Sequence, residues 1–433
     1  MSTRSGIATG QDWANQIAHI QDSNSLLHII AEFEGALDDT VLEQAVLQTL
    51  QVEPVLACRF DDTQAPPCWT PINIDGSRDW LHITATDSTD VAIRRFVEEI
   101  SLEDRRQLLV QLIHGPAGDV LGIKLDHASC DGGGVKAYLQ LLCGIYNLLV
   151  QERIGASGHS AKAGTASGFP ERSSKRVYEA AGIQDIRQAY RPEKDTPLPS
   201  VTIPFQEGTS GQARFAVLRV PIADLRVREE GCTVNDLLLA AFTRVLAGLE
   251  HGLADHNGGI RQTAVNLTID LRRYFPSGQQ PGVCNLSGME KVAVPVSPAE
   301  EFGQTVKRVH ETMAAVKESR PGLHSAVSMD FLARLPYAQA QAMLLQASSR
   351  MKAAGQSAPI FSNLGWITSG KLQFGDTAAI RVYAITPAMH APAFMLGASS
   401  YGEELTLAAS FFEQERSAEA VRLLLEAIAD QLI

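Results

Sequence analysis

The sequence predicts an α/β fold built from sandwich-type layers of helices and strands. Segments with helical periodicity alternate with strand-like segments in both halves of the chain, which is the pattern that such layers produce. The 433 residues, 45% of them hydrophobic, are sufficient for a large buried core. We expect one very large domain or two domains of about 200 residues each. No short-period repeat is visible.

The first half begins with a strand, a turn and a helix. Residues 25–34, SLLHIIAEFE, mix β-branched and other apolar residues and are followed by a glycine, which predicts a strand that ends at a turn. Apolar residues over 41–50 keep the i, i+3/i+4, i+7 spacing, which predicts a helix from about Asp38. The stretch VEPVLACRF, residues 52–60, is predicted to be the next strand.

The stretch DHASCDGGG contains the residues with the clearest chemical potential. Residues 120–127, VLGIKLDH, alternate in polarity, which predicts a strand with His127 at the end of its apolar, inward face. Asp131 and the three glycines that follow it predict a strand-to-helix turn. Residues 135–150 are apolar on most sides, as a helix buried in a core would be.

The second half repeats this alternation. Residues 151–175 are rich in Gly, Ala and Ser, which predicts a surface crossing that divides the chain into 1–175 and 176–433. A helix is predicted over 233–250, where Thr233 and Asp236 have N-cap and N3 spacing. Further strands are predicted over 214–221, 263–269, 380–386, 394–400 and 404–412, and further helices over 300–318 and 416–432.

Composition excludes several classes of partner and cofactor. The formal net charge of −12 makes a nucleic-acid partner or an anionic membrane surface unfavourable. No apolar run has the length of a membrane span or a signal peptide, and we expect a cytoplasmic monomer. The six scattered cysteines predict reduced thiols. The sequence has no HExxH, GxGxxG or P-loop pattern, so we expect no metal and no bound cofactor.

A neutral imidazole at a strand end that faces a cavity can accept a proton from an alcohol, an amine or a thiol as that group attacks a carbonyl. Asp131 could orient the ring of His127 directly, or it could fix the loop through a cation elsewhere. Gly132 and the next two glycines would allow a sharp turn and a close approach of substrate. From this motif alone, a non-catalytic interpretation remains open. In it, His127 is a structural histidine and Asp131 only caps the helix. Cys130 lies between the two residues, but neighbouring side chains in a turn rarely converge, so we expect no Cys–His nucleophile pair.

Four further stretches occur in the chain: ALDDTVLEQAVLQTLQVEPVLACRF (36–60), TVNDLLLAA (233–241), IDLRR (269–273) and SNLG (362–365). Together with HxxxDG, and in this order, they resemble the CoA-dependent acyltransferase superfamily. That superfamily includes chloramphenicol acetyltransferase, polyketide-associated acyltransferases and the condensation domains of nonribosomal peptide synthetases. The chain is most similar to its stand-alone condensation-like and polyketide-associated members, which act in secondary metabolism.

The resemblance implies two chloramphenicol-acetyltransferase-like α/β sandwich halves that form a pseudo-dimer with a central tunnel. It implies an acyltransferase that moves an acyl group to a hydroxyl or amine acceptor. The donor would be acyl-CoA or an acyl thioester on the phosphopantetheine arm of an acyl or peptidyl carrier protein. His127 would be the general base, and Asp131 would be structural and paired with Arg272, for which a surface arginine is the alternative. Three residues would bind substrate or close the tunnel: Ser362, Asn363 and Gly365. A simple turn residue is the alternative for Asn363.

The sequence departs from the superfamily pattern at Asp126, where many members carry a second histidine. Asp126 and Asp131 together match the DxxxxD of heterocyclisation domains, but those domains lack the histidine that is present here at His127. Strand alternation turns Asp126 away from His127, which predicts a loop or surface carboxylate. Ser399 and Ser400 are weak candidates for an oxyanion donor. A catalytically silent condensation-like module that binds a carrier protein or an acylated ligand is the alternative function.

Overall fold

The computed structural model describes residues 6–72, 80–99, 102, 106–154, 169–196, 211–226, 231–251, 260–279, 281–297, 299–413 and 417–433. The α-helices are α1 (Gly10–Gln21), α2 (Asp39–Val52), α3 (Thr89–Glu98), α4 (Gly132–Ile154), α5 (Lys175–Ala180), α6 (Val234–His251), α7 (Phe302–Glu318), α8 (Leu323–Leu332), α9 (Tyr337–Ala354) and α10 (Ser417–Leu432). The strands are β1 (Gly6–Ile7), β2 (Leu26–Phe33), β3 (Cys58–Asp61), β4 (Cys68–Pro71), β5 (Leu81–Ala85), β6 (Leu108–Gly115), β7 (Gly118–Asp126), β8 (Ala213–Pro221), β9 (Arg261–Asp270), β10 (Ser287–Val296), β11 (Ile360–Trp366), β12 (Gln373–Phe374), β13 (Thr377–Ile385), β14 (Met395–Tyr401) and β15 (Glu404–Phe412).

Two six-stranded sheets dominate the part of the chain that the structure describes. The first sheet has the order β12-β13-β2-β7-β6-β5, and the second sheet has the order β10-β9-β11-β14-β15-β8. A small sheet of β1, β4 and β3 lies beside them. The mixed α/β class with two layered halves is therefore confirmed.

Each large sheet has its own hydrophobic core. Helices α2 and α4 pack on the first sheet, where Leu42, Leu139 and Leu125 belong to one buried cluster. Helices α6, α7 and α10 pack on the second sheet, where Phe242 and Leu407 belong to a second cluster. Two cores of this kind are what a chain of this length needs in order to bury its apolar surface.

Strand β13 crosses between the halves of the chain. It pairs antiparallel with β2, with Ile385 opposite His28, although it lies far along the second half of the sequence. The next strand, β14, belongs to the second sheet. The division into 1–175 and 176–433 stays a prediction. The first sheet, however, contains strands from both ranges, since β12 and β13 join β2, β5, β6 and β7.

Local sequence signals explain where several helices begin. Asp38 accepts a hydrogen bond from the backbone N–H of Val41 at 2.9 Å and so caps α2. Thr233 and Asp236 exchange the two reciprocal bonds of a capping box, at 2.9 and 3.2 Å, which confirms the predicted start of α6.

Three predicted elements need comment. The strand predicted over 52–60 begins only at Cys58, because Pro54 starts a short 3-10 helix that ends at Ala57. The glycines after Asp131 form the first turn of α4, whereas the turn itself comprises residues 127–129. The predicted crossing at 151–175 falls largely outside the described residues. Helices α1, α3, α5, α8 and α9 were not among the predicted elements.

Candidate active site

His127 opens a tight turn between β7 and α4, which we call the His127 turn (residues 127–129). The backbone N–H of His127 donates to the carbonyl of Ser25 at 2.8 Å. Asp126 closes the turn, because its Oδ1 accepts the N–H of Ala128 at 2.8 Å and its carbonyl accepts the N–H of Ser129 at 3.0 Å. Asp126 is therefore the partly buried carboxylate that closes this turn, at the last residue of β7. Burial raises its pKa, against the opposing effect of the Ala128 N–H.

The three carbonyls of the His127 turn are bonded as well. Asn285 Nδ2 donates to the carbonyl of His127 at 3.0 Å and to that of Ala128 at 2.8 Å. Arg172 Nη2 donates to the carbonyl of Ser129 at 2.6 Å. Every backbone N–H and C=O of the turn thus has a partner, which fixes the backbone that carries the imidazole.

Asp12 on α1 holds the two side chains that bind the turn. Its Oδ1 accepts a bond from Arg172 Nη2 at 3.2 Å and lies 2.9 Å from Asn285 Nδ2, whose two hydrogens are shared among this oxygen and the two carbonyls. Its Oδ2 accepts the indole N–H of Trp69 at 3.1 Å. The side chains of Asp12 and Arg172 are 0% and 4% exposed, so their charges are matched inside the protein rather than by water.

Asp131 and Arg272 form the predicted ion pair. Arg272 Nη1 lies 2.8 and 3.0 Å from the two carboxylate oxygens of Asp131, and Nη2 donates to the carbonyl of Cys284 at 2.9 Å. Asp131 also accepts the N–H of Gly134 at 2.8 Å, which caps α4, and the N–H of Leu286 at 2.7 Å. The helix-capping and arginine-pairing interpretations of Asp131 are therefore both correct.

Arg272 is not the surface arginine that was the alternative. Its side chain is 5% exposed, and although burial alone would lower its pKa, Asp131 raises the pKa above the usual arginine value overall. A Cβ on Gly133 would lie 2.4 Å from Arg272 Nη1, and one on Gly134 would lie 2.7 Å from the Cβ of Cys130. The second and third glycines are therefore required by close packing of the site rather than by a sharp turn.

A cavity of about 110 Å³, which we call the central cavity, lies between the two large sheets beside the first turn of α4. His127, Asp131 and Gly132 line it from the first half, and Asp270 on β9 and Met395 on β14 line it from the second. His127 Nδ1 is buried and has no hydrogen-bond partner among the described residues. The structure thus brings the predicted motif to a cavity formed by both halves.

The predicted substrate-binding segment reaches the same cavity in part. Ser362, which accepts a bond from Thr268 Oγ1 at 3.0 Å, and Asn363 both line the central cavity. Asn363 Nδ2 donates to Asn235 Oδ1 at 3.1 Å, and Asn363 Oδ1 accepts the N–H of Gly365 at 2.8 Å. Gly365 has φ +61° and does not line the cavity, so it serves the turn. The turn alternative for Asn363 therefore holds alongside a place in the cavity wall.

Several other candidate residues do not reach the cavity. Cys130 is fully buried, and burial raises the pKa of its thiol well above the usual value, so it is not poised as a thiolate. Ser399 Oγ accepts the N–H of Ala384 at 3.2 Å, and neither it nor Ser400 lines the central cavity.

Neither a metal-binding cluster nor a membrane-spanning helix is present among the described residues. They contain no cluster of three or more His, Cys, Asp or Glu side chains that could hold a metal ion. They also contain no helix that is long and apolar enough to cross a membrane.

The residues that bind the His127 turn were missed in the sequence. Asn285 lies in VCNLSG, which matches no motif, and Arg172 lies in the segment predicted to be a surface crossing. Asp12 had one signal, since Thr9 and Asp12 have capping-box spacing and form both bonds of that box in the structure. That signal predicts a helix start, and it does not reveal that Asp12 holds Asn285 and Arg172.

No family model matches the chain, and no curated protein sequence matches it significantly. Solved structures match it along its whole length. The first condensation domain of the CDA synthetase shares 16% identity at a TM-score of 0.63, covering 100% of this chain and 98% of that one. The chain has the condensation-domain fold. Polyketide synthase associated protein 5 from Mycobacterium tuberculosis shares 15% identity at a TM-score of 0.64, covering 99% of this chain and 100% of that one.

An acetyltransferase and a second condensation domain share this fold with the chain. Trichothecene 15-O-acetyltransferase from Fusarium sporotrichioides is 11% identical at a TM-score of 0.67, covering 99% of this chain and 96% of that one. The starter condensation domain of rhizomide synthetase, solved with C8-CoA and Leu-SNAC, is 13% identical at a TM-score of 0.67, covering 99% and 94% of the two chains. These similarities confirm the fold that the sequence resemblance implies.

Proposed function

We propose that this protein is an acyltransferase that moves an acyl group from a thioester to a hydroxyl or amine acceptor, with His127 as the general base. The observation that carries the proposal is the position of His127. It lies at a cavity formed by both sheets, on a turn whose every backbone polar group is bonded. A catalytic base must be held in place in this way if it is to meet a proton on a bound acceptor.

The reaction needs no residue besides a base and two positioned substrates. The imidazole of His127 takes the proton from the acceptor oxygen or nitrogen as that atom bonds to the thioester carbonyl carbon. The carbon–sulfur bond then breaks, and the departing thiolate takes up the proton that the imidazolium holds. Charges and protons balance without an acyl-enzyme, in agreement with the burial and raised pKa of Cys130.

Asp131 and Arg272 would support this reaction by holding the site in place, without taking part in the chemistry. Their ion pair joins the start of α4 to the 284–286 segment, next to the His127 turn. Ser362 and Asn363 would contact the donor from β11. The donor would be acyl-CoA or a carrier-bound thioester, and the rhizomide synthetase structure with C8-CoA supports a thioester donor in this fold.

The test is release of free thiol by the full chain from a panel of acyl-CoAs and carrier-bound thioesters, each offered with alcohols and amines. We expect His127→Ala to lower kcat by about 10²- to 10⁴-fold, because it removes the proton acceptor. The matched control is His82→Ala, which removes an exposed histidine on the edge strand β5 and should leave the rate unchanged. A His127→Ala variant with more than a tenth of the wild-type rate would refute the general-base role.

One observation favours the alternative of a silent binding module. His127 Nδ1 has no partner among the described residues, so nothing described here holds the ring in one tautomer. The same panel decides between the two functions. Binding of a carrier protein or an acylated ligand with no thiol release from any donor would establish the silent module.

A further inference from the structure

Two groups of opposite charge line the central cavity beside the first turn of α4, and we call them the charged pair: Lys136 and Asp270. Lys136 lies three and four residues after Gly133 and Gly132, and residues at these spacings share one face of a helix. Both glycines line the cavity, so that face of α4 is the one that looks into it. Because a helical side chain leans towards the N-terminus of its helix, Lys136 extends back over the two glycines.

The ammonium group of Lys136 has one hydrogen-bond partner within the described part of the chain. Its Nζ donates to the backbone carbonyl of Leu364 at 2.9 Å. The side chain of Leu364 lies 3.4 Å from the position that a Cβ on Gly132 would take, so this partner lies over the same glycine. An ammonium group has three hydrogens, and two of them therefore remain for a ligand in the cavity.

The carboxylate of Asp270 is also only partly satisfied. Its Oδ1 accepts the backbone N–H of Arg272 at 2.9 Å and lies 3.3 Å from Arg272 Nη1. Its Oδ2 has no hydrogen-bond partner among the described residues and lies 3.2 Å from the position that a Cβ on Gly133 would take. The side chain is 54% exposed, yet burial raises its pKa, as expected for a carboxylate at the mouth of a cavity.

The two charges are near each other without being in contact. Burial lowers the pKa of Lys136, and the charge of Asp270 opposes that effect, so the field of the carboxylate reaches the ammonium group. No ion pair joins the two groups, although both residues lie in the described part of the chain. Gly132 and Gly133 lie beside both charges and have no side chain that could fill the space between them.

Resting on the proposed function, we propose that the charged pair binds an amino acid as the acceptor, with Lys136 on its carboxylate and Asp270 on its amino group. A free amino acid carries both charges, whereas an aminoacyl donor has lost its carboxylate to the thioester. An uncharged group would leave two partly desolvated charges unmatched. The cavity of about 110 Å³ is slightly smaller than the roughly 150 Å³ that holds benzene, which is enough for the main-chain atoms of an amino acid.

The reaction would then form an N-acyl amino acid. The bound ammonium group first loses one proton to solvent, which gives the nitrogen the lone pair that it needs. His127 takes a second proton as the nitrogen bonds to the thioester carbonyl carbon. The carbon–sulfur bond breaks, and the thiolate takes up the proton that His127 holds. One thioester and one amino acid thus give one amide, one thiol and one proton.

The experiment compares acceptors that differ only in the carboxylate. Thiol release by the full chain is followed with whichever donor of the thioester panel gives the highest rate. The acceptors are the common protein amino acids and β-alanine, each beside its own carboxamide. We expect at least one amino acid to exceed its carboxamide by tenfold or more in kcat/KM, because the carboxamide has no charge to pair with Lys136.

Variants of the charged pair test whether it causes the preference. Lys136→Met keeps the length of the side chain and removes the charge, so it should raise KM for the amino acid about tenfold and leave the carboxamide unchanged. Lys136→Arg keeps the charge and should keep the preference. A merely structural role of Lys136, through its bond to Leu364, would change KM for both acceptors alike.

Asp270→Asn tests the other end of the acceptor. The variant keeps an oxygen for the N–H of Arg272 and removes the charge that meets the amino group. Because the amino acid and its carboxamide share that amino group, KM should rise for both of them. The matched control is Lys317→Met, which removes an exposed lysine of α7 and should change neither value.

Binding keeps this test separate from catalysis. The His127→Ala variant, with and without Lys136→Met, is titrated calorimetrically with the same acceptors in the presence of octanoyl-CoA. A tenfold preference in Kd that Lys136→Met abolishes, without thiol release by wild type from any donor, would refute the proposed function and retain the amino-acid site. Thiol release without a preference for any amino acid, or a preference that survives Lys136→Met, would overturn the amino-acid site and retain the proposed function.

Two further outcomes would also overturn the amino-acid site. One is the absence of a preference from both assays. The other is a KM for the thioester donor that Lys136→Met raises equally with every acceptor, which would place the pantetheine arm of the donor on the charged pair instead.

Discussion

The central cavity has two sides that differ in how their polar groups are satisfied. On the side of the His127 turn, every backbone N–H and C=O is bonded to Ser25, Asp126, Asn285 or Arg172. On the opposite side, the ring nitrogens of His28 and the hydroxyl of Thr386 are buried without a hydrogen-bond partner among the described residues. The backbone that carries His127 is therefore fixed by hydrogen bonds within the protein, whereas the buried side chains of His28 and Thr386 are not.

The largest effect is expected from breaking the ion pair of Asp131 and Arg272 beside the His127 turn. Arg272→Ala leaves the Asp131 carboxylate buried without its cation, and breaking a buried pair in this way costs about 3 to 5 kcal/mol. We expect the free energy of unfolding in urea to fall by that amount and the rate of thiol release to fall with it. Arg273→Ala is the matched control, because Arg273 is the exposed neighbour. An Arg272→Ala variant as stable as Arg273→Ala would show that the pair does not hold the turn.

The next largest effect concerns Lys124, which is opposite His28 in the first sheet. Burial lowers the pKa of Lys124 from 10.5 to about 8, a difference worth about 3 kcal/mol. Since the unfolded chain binds the proton more tightly, stability rises between pH 8 and 10.5, and the cost is fully present below pH 8. We expect Lys124→Met to be more stable at pH 7 by at most about 3 kcal/mol, measured by urea unfolding.

The pH dependence supplies the control for Lys124. The gain from Lys124→Met should shrink as the pH is raised from 8 to 10.5, because wild type then loses its buried charge. A gain that is the same at pH 7 and at pH 10.5 would assign the effect to packing rather than to the buried charge.

A smaller loss of stability and rate is expected from Asn285→Ala, which removes hydrogen bonds to the His127 turn. The variant leaves the carbonyls of His127 and Ala128 without their donor, which costs about 2 kcal/mol. Because the turn positions the base, kcat should fall while KM changes little. Asn15→Ala is the graded control, since Asn15 Nδ2 donates to the Oδ1 of Asn285, at 3.2 Å, rather than to the turn itself. Equal kcat values for wild type and Asn285→Ala would contradict the positioning role.

The smallest effect is a change in how steeply the free energy of unfolding depends on pH, and it arises from His28. The folded protein keeps His28 neutral, whereas the unfolded chain protonates it below about pH 6.5, so this residue makes stability fall as the pH drops through 6.5. We expect His28→Leu to lose less stability than wild type between pH 7.5 and pH 5, measured by urea unfolding. Thr386→Val, which carries no titratable group, should keep the wild-type slope.

The sequence predicted one side of the cavity better than the other. The Asp131–Arg272 pair follows from two short motifs, and the structure contains it. Asn285 and Arg172 could not be found in this way, because a hydrogen bond between distant segments leaves no periodic signal. Polarity alternation placed Lys124 on a polar face of its strand, yet it is buried because Phe96 of α3 covers that face. Tertiary packing, which a single sequence does not display, decided these positions.

The first sheet cannot be complete until strand β13, which lies far along the chain, has been synthesised. During translation β2 and β7 leave the ribosome long before β13, which begins at Thr377. Until then one edge of β2 has no partner strand, and an open strand edge invites pairing with other chains. Fragments that end before residue 377 should therefore aggregate, and nascent chains should need chaperones to protect this edge. We therefore expect the two halves to complete folding together rather than one after the other.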